Sequence, residues 1–267
     1  MRTGSYAYSP ARTGGWRFMQ LFTQKVAAAF ARFVYFLASY PRRVLRLLKH
    51  FAHGLDCLRP RQQHWWESVV STQAIIGIGY WWAELPFYLL DLIGVAELYE
   101  TLADFVKFGT RKLEPWEIEL ARSVYGDSIR YDLVRLDERA YLGPRQHRFA
   151  YVSMHTINSW GKLQNATLIH ELMHVWQYEQ HGIVYILRSL RAQHSKMGYN
   201  YGGVSALRSA ANKGKYFKAF NYEQQADILS DYYRIRNGYK PEWGLAKRSD
   251  LQLYYRYVKQ LGGVKSM

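Results

Sequence analysis

The residues that could do chemistry lie in Thr167-Leu168-Ile169-His170-Glu171-Leu172-Met173-His174-Val175-Trp176-Gln177. His170 and His174 are four residues apart, which puts both imidazoles on one face of a helix, one turn apart. Two neutral imidazoles so placed can share one Zn²⁺, with Glu171 beside them, facing a water activated by the metal. Leu168, Ile169, Leu172, Met173, Val175 and Trp176 cover the sides that a buried helix packs, and His170, His174 and Gln177 are left as a polar stripe. Histidines buried without partners would cost several kcal/mol of desolvation, so a ligand role explains them better than incidental placement on a surface helix.

Two protein ligands do not hold a catalytic zinc; three are usual, with the fourth position open. Asn221 to Tyr233 also reads as a helix, with Ala226, Ile228 and Leu229 toward the core and Glu223, Asp227 and Asp231 in one acidic stripe. Glu223 is the expected third ligand. By itself the stripe would read as a solvated face pairing with Lys218, Arg234 or Arg236, but the two histidines supply a place for the cation that three buried carboxylates need.

A His-Glu-x-x-His helix followed by a glutamate on a second helix resembles the gluzincin branch of the zincin metallopeptidases. More narrowly, Tyr125-Gly126-Asp127-Ser128-Ile129-Arg130-Tyr131-Asp132 with Val134-Arg135, then Leu168 to Gln177, Tyr222-Glu223-Gln224-Gln225 and Asp231-Tyr232-Tyr233, is similar to small bacterial Vgr-related or Rhs-associated zincin-like proteins. The likeness covers about residues 109 to 240 and leaves out the first hundred. It implies an α+β, mainly helical zincin-like fold with a small sheet, to which this chain adds a basic helical N-terminal extension. It also implies that Asp227, one turn after Glu223, steadies a zinc histidine, with Asp231 of the Asp-Tyr-Tyr match as the alternative. In zincins a strand shortly before the zinc helix commonly pairs with an extended substrate, which here would be Phe149 to Ile157.

The expected activity is that of a zinc peptidase acting on a peptide or protein. Zn²⁺ on His170, His174 and Glu223 lowers the pKa of water to about 7, and Glu171 accepts the proton during attack and passes it to the leaving amine. The oxyanion needs a further donor. Tyr201, taken with Glu171 as catalytic, shares that candidacy with Tyr199, His194 and Tyr222, and spacing does not choose among them. From another class, the chain could be a membrane-associated binding or structural protein with a non-catalytic zinc site. A DNA-associated SprT-like protease also has His-Glu-x-x-His and basic charge, but it usually uses a third histidine and often a cysteine ribbon. One cysteine, Cys57, argues against that reading and excludes an intramolecular disulfide framework.

Of the net +15, ten charges fall within residues 1 to 63, which hold eleven Lys or Arg and one acid, Asp56. After an irregular start over residues 1 to 15, the pattern is helical and apolar from Trp16 to Tyr40. Pro41 is expected to restart it as a basic amphipathic helix over Arg42 to His53, with Arg42, Arg43, Arg46 and Lys49 opposite Val44, Leu45, Leu47, Leu48 and Phe51. Residues 16 to 53 could therefore lie on an anionic membrane through their cations, or pack their apolar side on the body of the protein. No nucleic-acid motif accompanies the charge, so nucleic acid is not an expected partner. No cleavable signal pattern stands out, which leaves three expectations: a cytoplasmic protein, a membrane-associated one, or one exported by a dedicated secretion system. Three parts are expected: a basic extension (1–63), an apolar helical segment (64–108) and a zincin-like part (109–267). In the second, Ser68 to Ala83 are uncharged, but Glu84 and Asp91 follow, which suits a buried or interfacial helix pair better than a bilayer crossing. In the third, helices are expected at Pro115–Tyr125, Ile183–Gln193 and Ser249–Leu261, with strands at Ile129–Leu136 and Phe149–Ile157 around a Gly143-Pro144 turn. Oligomeric state is not set by the sequence.

Overall fold

In a computed structural model of the chain, residues 14–58, 72–107, 109–141, 144–147 and 149–262 are described. The first thirteen residues of the irregular start, the uncharged positions up to 71 and Gly143 of the expected turn lie outside them.

Among the described residues three helices come first: α1 (Gly14–Leu58), α2 (Thr72–Leu92) and α3 (Val95–Val106), with α1 packed along the other two. Pro41 does not restart a helix. It sits inside the 45-residue α1. An interior proline removes one backbone hydrogen bond and crowds the carbonyl four residues back, a cost of about 3 kcal/mol. Here α1 is anchored on both sides of it, by Arg32 to Asp104 and by Arg43 to Glu97 and Asp91, so tertiary pairing overrides the local break. The arm also does not turn its apolar side to the body of the protein. Arg32 and Arg43 are buried, and the apolar side faces out.

Next come β1 (Thr110–Lys112), α4 (Pro115–Tyr125), β2 (Arg135–Asp137), the single-turn α5 (Pro144–His147), β3 (Tyr151–Ser153) and β4 (Thr156–Asn158). Proline at the start of α4 and reciprocal capping by Glu114 and Glu117 set its first turn. The strands form one sheet in the order β1-β2-β4-β3, with β2 parallel to β4 and the other pairs antiparallel. Both strands are shorter than their alternation predicts, and the second is split into a hairpin at Met154, where φ is 57°. Side chains have taken the backbone donors that a longer ladder would use. The Arg130 N–H goes to Glu179, the Met154 N–H to the Tyr185 hydroxyl and the His155 N–H to Glu100.

The remaining elements are α6 (Asn165–His181), α7 (Val184–Gln193), α8 (Gly203–Asn212), α9 (Tyr222–Arg236) and α10 (Leu251–Val258). The last is flanked by 3-10 turns that extend it over nearly the expected span. The main core lies where α6 packs on α9: Leu172, Met173, Ile228 and Leu229 are fully buried together with Tyr125 of α4 and Leu136 of β2. Burying each such aliphatic side chain contributes roughly 1.5–3 kcal/mol, which fixes the two helices side by side. A smaller cluster joins Tyr35 of α1 and Ala96 of α3 to Leu133, Met154, Tyr178 and Ile183. The chain is thus α+β, mainly helical with a small mixed sheet.

Candidate metal site

Packing of α6 on α9 brings His170, His174 and Glu223 together. The imidazole centroids are 5.2 Å apart, and the Nε2 atoms of His170 and His174 lie 3.5 and 3.3 Å from Glu223 Oε2. One ligand atom from each residue fits within a 4.8 Å set. The outer ring nitrogens are occupied: His170 Nδ1 is 2.8 Å from Asp227 Oδ1, and His174 Nδ1 is 2.8 Å from Gln177 Oε1. Gln177 is oriented in turn, because its amide nitrogen donates to the Tyr222 carbonyl and to Gln225 Oε1, both at 3.0 Å. Its oxygen can therefore only accept from His174, which places that proton on Nδ1 and aims the Nε2 lone pair at the centre. Gln193 donates to Glu223 Oε1 at 3.2 Å, while Glu223 Oε2 is buried without a hydrogen bond. α9 is started just before Glu223 by a capping box between Asn221 and Gln224.

The electrostatics select positive charge. Burial opposes protonation of His170, yet Asp227 and Glu223 push it up to about 10. Burial would raise the Glu223 carboxyl, but the imidazoles of His174 and His170 hold it well below the usual carboxylate range. Two inward nitrogens and one buried oxygen lacking a donor form a mixed N/O set that suits a divalent transition metal such as zinc. Beside it, burial raises Glu171 above the ordinary carboxylate range. A cleft of about 560 Å³ opens over the site, lined by His170, Glu171, Tyr199, Phe149, Arg234 and Trp243 among others.

Two expected roles fail on geometry. Tyr201 is buried away from the cleft; its hydroxyl donates to Asp231 Oδ2 at 2.6 Å and pairs with the Tyr254 hydroxyl at 2.8 Å. Asp231 reaches neither histidine. It accepts from Tyr201 and from the backbone N–H groups of Glu242 and Trp243, so it anchors the loop after α9. Of these two acids, Asp227 is the one that contacts a histidine. Of the other donors considered, His194 is turned to the Leu190 carbonyl and the Tyr222 hydroxyl is engaged by Arg188, whereas Tyr199 stays in the cleft with its ring 6.0 Å from that of His170.

Gln177 was visible in sequence as the third polar member of the helix stripe, though not as the partner of His174. Trp243, whose indole N–H donates to Asp227 Oδ2, gave no local signal, because it reaches the site from a loop sixteen residues after Asp227.

The class these features define is an α+β protein with a His-His-Glu cluster able to hold a metal. No family model matches the chain, and no solved structure matches it. It is 35% identical over 139 residues, 48% of its length, to the type VI secretion system spike protein VgrG2b of Pseudomonas aeruginosa. The chain covers 13% of that protein, so the likeness supports a bacterial, Vgr-related link for part of the chain.

Proposed function

We propose that the chain is a zinc-dependent peptidase of the zincin kind. The observation that carries this reading is the convergence of His170 Nε2, His174 Nε2 and Glu223 Oε2, with His170 and the neighbouring Glu171 lining an open cleft. Zn²⁺ bound there would polarise a substrate carbonyl and make water acidic enough to deprotonate near neutral pH. Glu171 takes the proton of the attacking water and delivers it to the amine nitrogen as the C–N bond breaks. Its raised pKa suits a group that must both accept and return a proton. The Tyr199 hydroxyl, in place of Tyr201, is the donor proposed for the oxyanion. Strand β3 is at the sheet edge, and Phe149 and Ala150 just before it line the cleft, so an extended peptide could pair there.

The open cleft favours catalysis over a purely structural zinc, since structural sites are closed. Likeness to part of a type VI spike protein supports a working place reached by such a secretion system. The test is metal analysis paired with a peptide-hydrolysis screen on the wild type and Glu171→Gln. About one zinc per chain in both proteins is expected, with hydrolysis about 10²–10⁴-fold lower in the variant. Full zinc with equal hydrolysis, or none in either, would leave a non-catalytic zinc protein.

A further inference from the structure

The three N-terminal helices have inverted polarity. The inward stripe of α1 runs through Lys25, Arg32, Tyr35, Ser39 and Arg43, whereas Phe22, Phe30, Phe33, Leu37 and Leu48 stand outside. On α3, Glu97, Glu100 and Asp104 are buried while Leu98, Leu102 and Val106 are exposed by 60%, 59% and 75%. On α2, Asp91 is buried and Ile75, Ile76 and Trp82 are out. Twenty-four of the 35 large apolar side chains exposed among the described residues belong to these helices. The surface is continuous from helix to helix, since the exposed rings of Phe22 and Phe105 meet with centroids 6.2 Å apart. Scattered exposed leucines are ordinary; a face of this extent marks an interaction site.

We infer that this outer face is seated in the hydrocarbon layer of a lipid bilayer. Helices satisfy their own backbone groups, as hydrocarbon requires. Four cations of α1 are turned inward and meet opposite charges, Lys25 and Arg32 with Asp104, Arg43 with Glu97 and Asp91, and Arg46 with Asp91, while Arg42 and Lys49 are exposed beside the apolar face. Ionisable groups in membrane proteins are disposed in this way. A protein partner would ordinarily meet a face mixed with hydrogen-bonding groups, which the outer stripes of α1 and α3 largely lack. Phe18–Gly54 is long and apolar enough to cross a bilayer. It lies along the surface instead, because its inner side is held on the rest of the protein: the Tyr35 ring packs on His155 and Tyr178, and Arg46 donates to the Gln180 carbonyl. Attachment is therefore by apolar insertion, whereas the sequence suggested cations on anionic lipid. It does not depend on the peptidase reading.

The test is flotation of the full chain with zwitterionic phosphatidylcholine vesicles at about 0.1 M and about 1 M salt. The protein should float at both, and the double variant Phe30→Ser, Leu98→Ser should float at least about tenfold less with unchanged helix content by circular dichroism. Acyl-chain-brominated phosphatidylcholine should quench tryptophan emission, and less so in Trp82→Phe. Flotation with anionic vesicles alone that salt reverses would replace insertion by surface electrostatics and overturn the inference. So would absence of flotation and quenching in a chain that sediments as a defined dimer, which would assign the face to a second copy.

Discussion

The N-terminal helices and the α6–α9 pair both bury ionisable side chains, but to opposite ends. In the first, Lys25, Arg32, Arg43 and Arg46 face Asp91, Glu97, Glu100 and Asp104, four charges of each sign. In the second, the buried Glu223 Oε2 faces two imidazoles, whereas Asp91 Oδ1 of the first cluster, also without a hydrogen bond, faces the Arg43 guanidinium. A balanced set holds elements in register, whereas a set with surplus acceptors is a place for a cation. The apolar residues differ in the same sense: they fill the interior between α6 and α9 and clothe the exterior of α1, α2 and α3.

If balance is what the first cluster supplies, Arg43→Met should cost roughly 3–5 kcal/mol in urea unfolding, because Glu97 and Asp91 would stay buried without their cation. A loss under about 1 kcal/mol would erase the contrast. The next effect belongs to His155, which joins the two regions. It is buried, with Nδ1 3.4 Å from Glu100 and Nε2 3.3 Å from Glu179, Arg32 behind Glu100, and the rings of Tyr35 and Tyr178 against it. Burial lowers its pKa, but the two carboxylates outweigh that and push it up to about 9 from 6.5. The folded-state value is the higher one, so the stabilisation is complete below pH 6.5 and is lost as the pH climbs through about 9. Unfolding free energies across that window should fall by on the order of 3 kcal/mol in the wild type, and that component should be missing in His155→Gln. The smallest effect separates two acids of one helix. Asp227→Asn should weaken zinc binding about 10–100-fold in chelator competition, and Asp231→Asn should leave it unchanged while lowering stability by about 1–3 kcal/mol. Equal weakening of zinc binding would put Asp231 back beside the histidines.

His170, Glu171, His174, Glu223 and Asp227 were legible in sequence because each lies on one of two helices whose period fixes the facing side. The hydroxyl of Tyr201 was not, because loop positions two apart turn opposite ways: Tyr199 goes to the cleft and Tyr201 to Asp231. The amphipathic stripe of α1 could be read, but not which side of it faces in. A stripe is the same pattern in either orientation, and here the choice is made by acids 45 to 79 residues away, at Asp91, Glu97 and Asp104. The continuity of α1 through Pro41 was hidden for the same reason. The strands were overestimated because Glu100, Glu179 and Tyr185 are remote in sequence from the backbone donors they capture.

The acids of α2 and α3 have a consequence for the order in which the chain is made. Glu100 accepts from the His155 backbone and from Thr156, Glu97 from Tyr178, and Glu84 from Arg188, partners 55, 56, 81 and 104 residues downstream. The three helices leave the ribosome before α6 and α7, and until those have followed these carboxylates have no such donors. Contacts of such long sequence separation form late and slow folding. At a synthesis rate of about 5–20 residues per second, the helices stand incomplete for several seconds, with their apolar outer face already displayed. During that interval the nascent chain offers its most adhesive surface to whatever is nearby, before His170, His174 and Glu223 have come together.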